Sequence, residues 1–365
     1  MFIAGQILLG LVLLVVGGEL LVRGASALAS AFKISPLVVG LTVVAFGTSA
    51  PELGVSLQAA LTGNADVAVG NVVGSNLVNI LVVLGASAII TPLIVSQQLI
   101  RLDVPLMILA AFGMWGASVD GVISRLEGGI MFTALVGYLI YSIRASRREG
   151  VEVSDARSED SANQSGFKYL ALQLILFISG LVLLSFGARF LVDGAIQIAS
   201  SLGVSQLVIG LTVVAIGTSL PEVVTSLVAS YRGQRDIAVG NVVGSNLFNV
   251  CCVCGLTSIV APDGVPVGSQ AISFDLPIMV AITVLCFPVF LLGGVIKRYE
   301  GGLFLTCFGL YTTFLVVSST RPESASEFGR TLLLIVTPLT AAVLVFSFWD
   351  GRRRRGSLDD SLSDS

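Results

Sequence analysis

Long apolar runs follow one another along nearly the whole chain, and short polar stretches separate them. Most runs approach the length of about 20 residues that a helix needs to cross a bilayer. The pattern therefore predicts an all-α polytopic membrane protein with five spans, a further five, and one more. The predicted spans are 3–22, 36–62, 67–93, 102–118, 126–144, 168–192, 205–231, 237–261, 272–293, 299–318 and 331–349.

The two groups of five spans are copies of each other. Gly40–Asn79 recurs as Gly210–Asn249 at a constant offset of 170 without a gap, and 27 of the 40 aligned positions are identical. The whole five-helix half is therefore duplicated. Shorter matches extend the similarity: GLVLLVVGGELLVRGA at 10–25 with GLVLLSFGARFLVDGA at 180–195, RLDVP at 101–105 with SFDLP at 273–277, and LEGG at 126–129 with YEGG at 299–302.

Lysine and arginine are distributed unevenly between the ends of the predicted spans. If the N-terminus is outside and the chain has eleven spans, sixteen Lys and Arg residues lie on the cytoplasmic side and four on the outer side. This is the bias that the positive-inside rule requires. Because each half has an odd number of spans, the halves are predicted to be inserted with opposite orientations, the plan of many secondary transporters. The predicted parts are a first half at 1–146, a cytoplasmic linker at 147–166, a second half at 167–318, an extra span at 319–350 and a cytoplasmic tail at 351–365.

Each copy of the repeat carries one carboxylate, Glu52 or Glu222, inside an apolar run. A carboxylate at membrane depth is costly and usually marks a functional site facing a protein or water interior. Since no intramembrane Lys or Arg recurs beside them, a structural ion pair does not account for these two residues. The sequence predicts a functional role for both.

Oxygen-bearing residues share the helical face of each glutamate. Pro51 cannot donate its amide to Gly47, so the helix is expected to open near Gly47 and leave carbonyls free, including that of Ala45 or Gly47. Broken helices at membrane depth are tolerated where they line a cavity. The residues on this face are Ala45, Thr48 and Ser49 in the first copy and Ala215, Thr218 and Ser219 in the second.

The third helix of each half adds polar residues at i, i+4 and i+8, which share one face. The combined set of carboxylate, hydroxyl, amide and carbonyl oxygens suits Ca²⁺, Na⁺ or Mg²⁺ better than Zn²⁺ or Cu²⁺, and variable distances favour Ca²⁺. One divalent cation would neutralise both glutamates, and several Na⁺ could replace it at the same oxygens, which is a basis for exchange. The third-helix residues are Asn71, Ser75 and Asn79, and Asn241, Ser245 and Asn249.

Some of these residues also have structural interpretations. Serine and threonine in membrane helices often bond back to their own helix. Asn71 and Asn241 can equally join neighbouring helices. Glu19 and Arg23 are spaced for a local i, i+4 salt bridge.

Composition excludes several classes of function. The chain has no His and only 12% charged residues, and it shows no nucleic-acid footprint, Walker-type motif or cofactor motif. The five Cys residues lie in apolar runs without a metal-ligand pattern and are predicted to be buried thiols. An intramembrane hydrolase would need a nucleophile and base pair that the chain lacks, so an enzyme is not expected. A passive cation channel remains an alternative to a carrier, although the inverted repeat favours the carrier.

The duplicated G-T-S-x-P-E and G-N-V-V-G-S-N strings resemble the two alpha repeats of the sodium/calcium exchanger branch of the cation/calcium antiporter superfamily, prokaryotic type. The resemblance covers residues 1–318 and implies ten helices in inverted five-helix repeats, with the first helix of each half sliding across the core. It implies Glu52 and Glu222 as the principal Ca²⁺ ligands, with Thr48 and Thr218 coordinating through their carbonyls. It also implies flanking Na⁺ sites, which Ser75 and Ser245 would complete together with the carbonyls of Ala45 and Ala215. The hydroxyls of Ser49 and Ser219 would line the cavity.

Two positions separate the branches of that superfamily. Calcium/proton exchangers typically carry an acidic residue and a His where this chain has Gly74-Ser75 and Gly244-Ser245. Asn249 stands where potassium-dependent relatives have Asp, which argues against potassium cotransport.

The sequence as a whole predicts an antiporter in the plasma membrane that exchanges Ca²⁺ for Na⁺ by alternating access. Exchange of Ca²⁺ for H⁺ through the same two glutamates is the alternative. The N-terminus is expected outside and the C-terminus in the cytoplasm. Transported Ca²⁺ and Na⁺ and the lipid bilayer are the expected partners, without a resident cofactor, nucleic acid or protein partner.

Overall fold

Helices occupy most of the described residues of the computed structural model, which are 2–154, 167–202, 215–291 and 294–320. Several helices consist of consecutive α and π segments, so each label below covers all segments of one helix. The bounds are α1 Phe2–Ala31; α2 Pro36–Val39, Gly40–Val44, Ala45–Thr48 and Ala50–Leu61; α3 Asp66–Leu77, Val78–Leu84 and Gly85–Ile90; α4 Leu99–Asp103 and Val104–Ala117; α5 Arg125–Ser154; α6 Phe167–Ser201; α7 Ala215–Thr218 and Leu220–Tyr231; α8 Arg235–Phe248, Asn249–Cys254 and Gly255–Val260; α9 Ala271–Asp275 and Leu276–Leu291; and α10 Arg298–Thr320.

The helices agree with the predicted class of fold. Among the described residues, eight helices are long and apolar enough to cross a membrane, or nine if the bent α2 counts as one span. α5 continues to Ser154, eight residues beyond 146, so helix extends into the segment assigned to the linker. The extra span predicted at 331–349 and the tail at 351–365 lie outside the described residues.

Within the described ranges, four two-residue strands lie in the connections between helices, a feature that the hydrophobic pattern does not predict. β1 pairs antiparallel with β4, and β2 pairs antiparallel with β3. The strands are β1 Leu93–Ile94 between α3 and α4, β2 Val122–Ile123 between α4 and α5, β3 Val265–Pro266 between α8 and α9, and β4 Val295–Ile296 between α9 and α10.

This strand pairing shows that the two halves are inverted. β1 and β3 occupy equivalent positions in the two halves, as do β2 and β4. In halves of the same orientation, β1 and β3 would lie at the same end of the helices. β1 instead pairs with β4, so the connection after the third helix of one half lies beside the connection after the fourth helix of the other. The predicted inverted repeat is therefore confirmed.

Glycines allow α1 and α6 to pack backbone against backbone. A Cβ added at Gly10 would lie 2.9 Å from the carbonyl oxygen of Gly187, and one added at Gly17 would lie 2.9 Å from that of Gly180. Small residues permit this approach in membrane helices. The partner number falls by seven as the α1 number rises by seven, so the helices run antiparallel, as inversion of the halves requires.

Contacts of α1 also correct one local prediction. Gly18 lies against α7, where an added Cβ would be 3.0 Å from Cγ1 of Val224. This packing brings Glu19 to Arg232 at the end of α7, and the two form an ion pair. The local salt bridge predicted between Glu19 and Arg23 is wrong, because a partner from a distant part of the chain takes its place.

The third helix of each half forms the centre of the molecule. Every residue of α8 from Ile237 to Gly255 is buried. α3 is buried along most of its length, whereas α1, α5 and α6 expose large apolar side chains on their outer faces. Most polar residues in the middle of α3 and α8 are therefore enclosed by other helices.

Candidate cation-binding site

The helices that carry the two glutamates are broken just before their prolines. Ser49 leaves the helical conformation with φ −83° and ψ 4°, and the flanking segments of α2 are bent by 43°. Ser219 in α7 is similar, with φ −89° and ψ 8°. Pro51 takes one of the first positions of the new helix, where its missing amide N–H is not needed. The break therefore lies at Ser49, not at Gly47 as predicted.

The break does not free the carbonyl of Ala45. This carbonyl accepts the amide of Ser49 at 3.0 Å, because the turn before the break stays closed. The prediction of a free carbonyl at Ala45 is therefore wrong. In the second copy, the amide of Ser219 donates to the carbonyl of Ile216 at 3.2 Å, one residue after Ala215, so the two copies differ here.

Glu52 and Glu222 are fully buried, and each is held by a serine from the opposite half. The Ser49 hydroxyl donates to Oε1 of Glu222 at 3.1 Å, and the Ser219 hydroxyl donates to Oε1 of Glu52 at 3.4 Å. The two bonds are equivalent under the repeat. The two glutamates, widely separated in the sequence, therefore belong to one site.

Asparagines on α3 and α8 brace the turns that carry the glutamates. Nδ2 of Asn71 donates to the backbone carbonyl of Glu52 at 3.1 Å and to the Ser56 hydroxyl at 2.9 Å. Asn241 makes the equivalent two bonds in the second copy at 3.4 and 3.0 Å. The asparagines thus join helices, which is the structural role that sequence analysis considered for them.

The two threonines occupy different surroundings. The Thr48 hydroxyl donates to Oδ1 of Asn241 at 3.1 Å and lies 3.4 Å from Oγ of Ser245, so it contacts the opposite half. Thr218 is partly exposed and lines a cavity together with Ser75. The first threonine is enclosed and the second faces open space.

Asn79 and Asn249 form an amide network with two residues that sequence analysis missed. Nδ2 of Asn79 donates to Oδ1 of Asn246 at 3.2 Å, and Nδ2 of Asn249 donates to Oδ1 of Asn76 at 3.2 Å. Asn76 and Asn246 are the last residues of the repeated G-N-V-V-G-S-N string. Their position in this repeat was the sequence signal that could have identified them. The network joins α3 to α8 directly.

Several buried oxygens of the site have no hydrogen-bond partner among the described residues. A buried polar atom without a partner costs about 1–3 kcal/mol, and oxygens of this kind are the ligands that hard cations prefer. The arrangement therefore fits an alkali or alkaline-earth cation. The atoms are Oε2 of Glu52 and Glu222, Oγ of Ser75, and Oδ1 of Asn79 and Asn249.

A cavity of about 410 Å³ reaches α3, the third helix of the first half. It distinguishes α3 from the equivalent helix α8. Gly70 is exposed and Asn71 half-buried at this cavity, whereas Gly240 and Asn241 are buried. α2 covers the second copy, since a Cβ added at Gly240 would lie 3.1 Å from the amide nitrogen of the α2 residue Leu41. Access to the site is therefore asymmetric although the sequence repeat is symmetric.

Two inverted five-helix halves that enclose shared oxygen ligands at their interface define a secondary cation transporter. The family described as "Sodium/calcium exchanger protein" matches residues 2–144 and 172–317. The chain belongs to this family. The resemblance noted from the repeated motifs is thereby confirmed.

Individual relatives match along nearly their whole length. The "Putative antiporter CaxA" of Alkalimonas amylolytica is 38% identical over 316 residues, which cover 86% of this chain and 98% of that protein. The "Sodium/calcium exchanger MaX1" of Methanosarcina acetivorans is 32% identical over 346 residues, covering 85% and 97% respectively. A solved structure of the sodium-calcium exchanger NCX_Mj, soaked with 10 mM Na⁺ and no Ca²⁺, aligns with a TM-score of 0.73 at 32% identity and covers 87% of this chain and 99% of that one.

Proposed function

We propose that this chain is a secondary active antiporter that exchanges Ca²⁺ for Na⁺ by alternating access at the interface of its two halves. The observation that carries the proposal is the reciprocal placement of Glu52 and Glu222, each buried and bonded to a serine of the other half. The choice of ions is supported by family membership and by relatives named for this exchange.

Charge balance explains why the two ions would compete. Glu52 and Glu222 carry two negative charges when ionised, and one Ca²⁺ neutralises both, which lowers the desolvation cost of the pair. Na⁺ ions can replace it at the same hard oxygens, so occupancy by one kind of ion excludes the other. Coupling then follows without a nucleotide or a resident cofactor.

The other site residues are assigned by their contacts. Ser49 and Ser219 orient the carboxylates, while Asn71 and Asn241 hold the turns that carry them. The unpartnered side-chain oxygens of Ser75, Asn79 and Asn249 complete the coordination of Ca²⁺ or Na⁺. Carbonyl ligands come from the broken turns. The further proposed ligands are Thr48 and Thr218, Ser245, and the carbonyl of Ala215, whereas the Ala45 carbonyl is already bonded to the amide of Ser49.

The chain is a multi-pass membrane protein, and we assign its N-terminus to the outside from the distribution of Lys and Arg. In this orientation the cavity beside Gly70 and Asn71 opens outward, because its lining residues lie near the α2–α3 and α8–α9 connections and the C-terminal half of α10. The described conformation is then outward-facing, and the plasma membrane is the proposed location.

The test is uptake of radioactive Ca²⁺ into proteoliposomes with the Na⁺, K⁺ and H⁺ gradients varied independently. We expect uptake to follow an outward Na⁺ gradient and to be insensitive to K⁺, as Asn249 suggests. Uptake that ignores Na⁺ but follows a pH gradient would replace Na⁺ with H⁺ as the counter-ion. Flux that runs only down the Ca²⁺ gradient, without counter-transport, would indicate a channel and sink the proposal.

A further inference from the structure

A second pair of repeated residues lies outside the glutamate site. The RLDVP and SFDLP strings place Asp103 on α4 and Asp275 on α9. The fifth helix of each half adds a tyrosine at equivalent positions, Tyr138 on α5 and Tyr311 on α10. Both pairs therefore recur at one place in each half, between the fourth and fifth helices.

The first-half pair is closed. Asp103 is fully buried, and the Tyr138 hydroxyl donates to its Oδ1 at 2.9 Å. The bond joins α4 to α5. Side chains one turn before each of them, Leu99 and Leu135, are also buried, with 0% and 3% exposure.

The second-half pair is open. Asp275 and Tyr311 are both partly exposed and line the cavity of about 410 Å³ that reaches Ser75. The residues equivalent to the buried leucines, Ala271 and Phe308, are also partly exposed and line the same cavity. Tyr138 and Leu135 line a different, mainly apolar cavity of about 450 Å³ between α4 and α5, and Asp103 is not among its lining residues. The aspartate is thus sealed in the first half and open to the site cavity in the second.

Exchange of these conformations between the halves would reverse the direction in which the molecule faces. The halves share one fold and are inverted, so a molecule in which each half adopted the other's conformation would have its cavity at the opposite end. In that state Asp103 and Tyr138 would line the cavity, and Asp275 and Tyr311 would be buried against each other. When a pair is closed, it occupies the position that the cavity takes in the open half. A closed pair and an open path therefore exclude each other within one half.

We propose that the Asp103–Tyr138 and Asp275–Tyr311 pairs are alternating latches, each closing the access path of its own half. The inference rests on the proposed alternating-access function. These residues do not bind the transported ions at the central site. They are gating residues that set the balance between the two facing states.

The test compares Tyr138→Phe and Tyr311→Phe, which remove one hydroxyl each and keep the ring. A single cysteine reports each path: Leu315→Cys lines the present cavity, and Ser142→Cys is at the equivalent, buried position of the first half. The protein is placed in nanodiscs, so that a small membrane-impermeant thiol reagent reaches both faces. The native cysteines are buried in the described structure, and the unmutated protein gives their background.

The measured quantity is the labelling rate at Ser142→Cys divided by that at Leu315→Cys. We expect Tyr138→Phe to raise this ratio about fivefold and Tyr311→Phe to lower it about fivefold, since each loses one hydrogen bond in one state only. Tyr141→Phe is the matched control, because this exposed tyrosine lies on α5 outside the pair. The double variant Tyr138→Phe/Tyr311→Phe should return towards the original ratio.

Shifts in the same direction, or shifts no larger than that of the control, would overturn the latch. A double variant that stays as displaced as either single variant would also contradict it. The labelling ratio needs no ion gradient, so its result is independent of the Ca²⁺ uptake assay. If uptake fails to follow Na⁺ while the ratios move in opposite directions, the proposed ion coupling is wrong and the latch stands.

Discussion

Two carboxylates at membrane depth dominate the chemistry of this molecule at the scale of the residue. Placing a charged side chain near the middle of a bilayer costs roughly 2.5–3.5 kcal/mol on insertion scales. Glu52 and Glu222 each receive a side-chain hydrogen bond at one oxygen only, from Ser219 and Ser49 respectively, among the described residues. Under the proposed function, a bound cation would supply the remaining compensation.

Replacing either acid with glutamine tests this assignment. Glu52→Gln and Glu222→Gln keep the side-chain shape but remove one charge, and we expect each to weaken Ca²⁺ binding by about 3 kcal/mol, roughly a hundredfold. The measurement is Na⁺-driven Ca²⁺ uptake at several Ca²⁺ concentrations.

The control is Glu127→Gln, which changes an acidic residue outside the site. Glu127 accepts the amide of Ser124 at 2.8 Å at the start of α5, and glutamine can keep this capping bond. The control should transport normally. If all three variants lose activity equally, or if either site variant transports like the original protein, the ligand assignment is wrong.

At the scale of the element, the glycines of α1 and α6 distinguish this helix pair. They recur at intervals of seven, at Gly10, Gly17 and Gly24 in α1 and at Gly180, Gly187 and Gly194 in α6. At five of these six glycines the atoms nearest to an added Cβ are backbone atoms of the other helix, whereas at Gly194 they are side-chain atoms of Ile7. Such close backbone contact suits the pair to the sliding movement that the resemblance to exchangers implies.

Adding a methyl group to this interface should force the helices apart. In Gly17→Ala the new Cβ would lie 2.8 Å from the amide nitrogen of Leu184 and 2.9 Å from the carbonyl oxygen of Gly180. We expect destabilisation of about 1–3 kcal/mol by overpacking, seen as a lower midpoint of thermal unfolding and slower transport. Gly5→Ala on the same helix meets nothing within 4 Å among the described residues and should behave like the original protein. Equal behaviour of the two variants would contradict close packing at Gly17.

The broken helices show how far local rules reach at this scale. Pro51 and Pro221 predicted a break in α2 and α7, and both helices are broken. The break lies where the new helix begins, one or two residues before the proline. A proline fits the first turn of a helix because the amide N–H that it lacks would have no partner there. The break consequently lies at Ser49 and Ser219, whose side chains are thereby directed to the opposite half.

At the scale of the whole molecule, inversion of the halves makes one site out of two motifs. Ser49 and Glu222, Ser219 and Glu52, and the asparagines of α3 and α8 all pair across the repeat. Reciprocal pairs of this kind follow from a twofold relation between the halves, and the strand pairing shows that this relation inverts them. Inversion also permits a cavity at one end to be exchanged for a cavity at the other.

Thiol labelling in intact cells tests the inverted arrangement. Asn64→Cys and Asp263→Cys lie in the α2–α3 and α8–α9 connections and should both react with an impermeant reagent from outside. Gln97→Cys and Gln234→Cys, in the α3–α4 and α7–α8 connections, should react only after permeabilisation. A reversed pattern would correct the assigned orientation alone, whereas Asn64→Cys and Asp263→Cys on different sides would contradict the inversion.

Much of this architecture could be predicted from the sequence, because hydrophobic length, a repeat and Lys/Arg counts are local quantities. The same reasoning identified Glu52 and Glu222, since the cost of a carboxylate in an apolar run does not depend on its partners. Partners could not be predicted. Glu19 binds Arg232 instead of Arg23 because α1 packs beside the end of α7, and a contact between distant segments has no local signature.

The sequence by itself therefore determined the helical class, the duplication, the odd number of spans that inverts the halves, and the two acids at their interface. Only the tertiary structure decided which asparagine meets which, and which half is open. Asp103 and Asp275 stand in equivalent places of two similar halves, yet one is sealed and the other lines a cavity. The physical reason is that a repeated sequence specifies the same preferences twice, whereas a cavity that reaches a shared site from one end requires the two halves to pack differently.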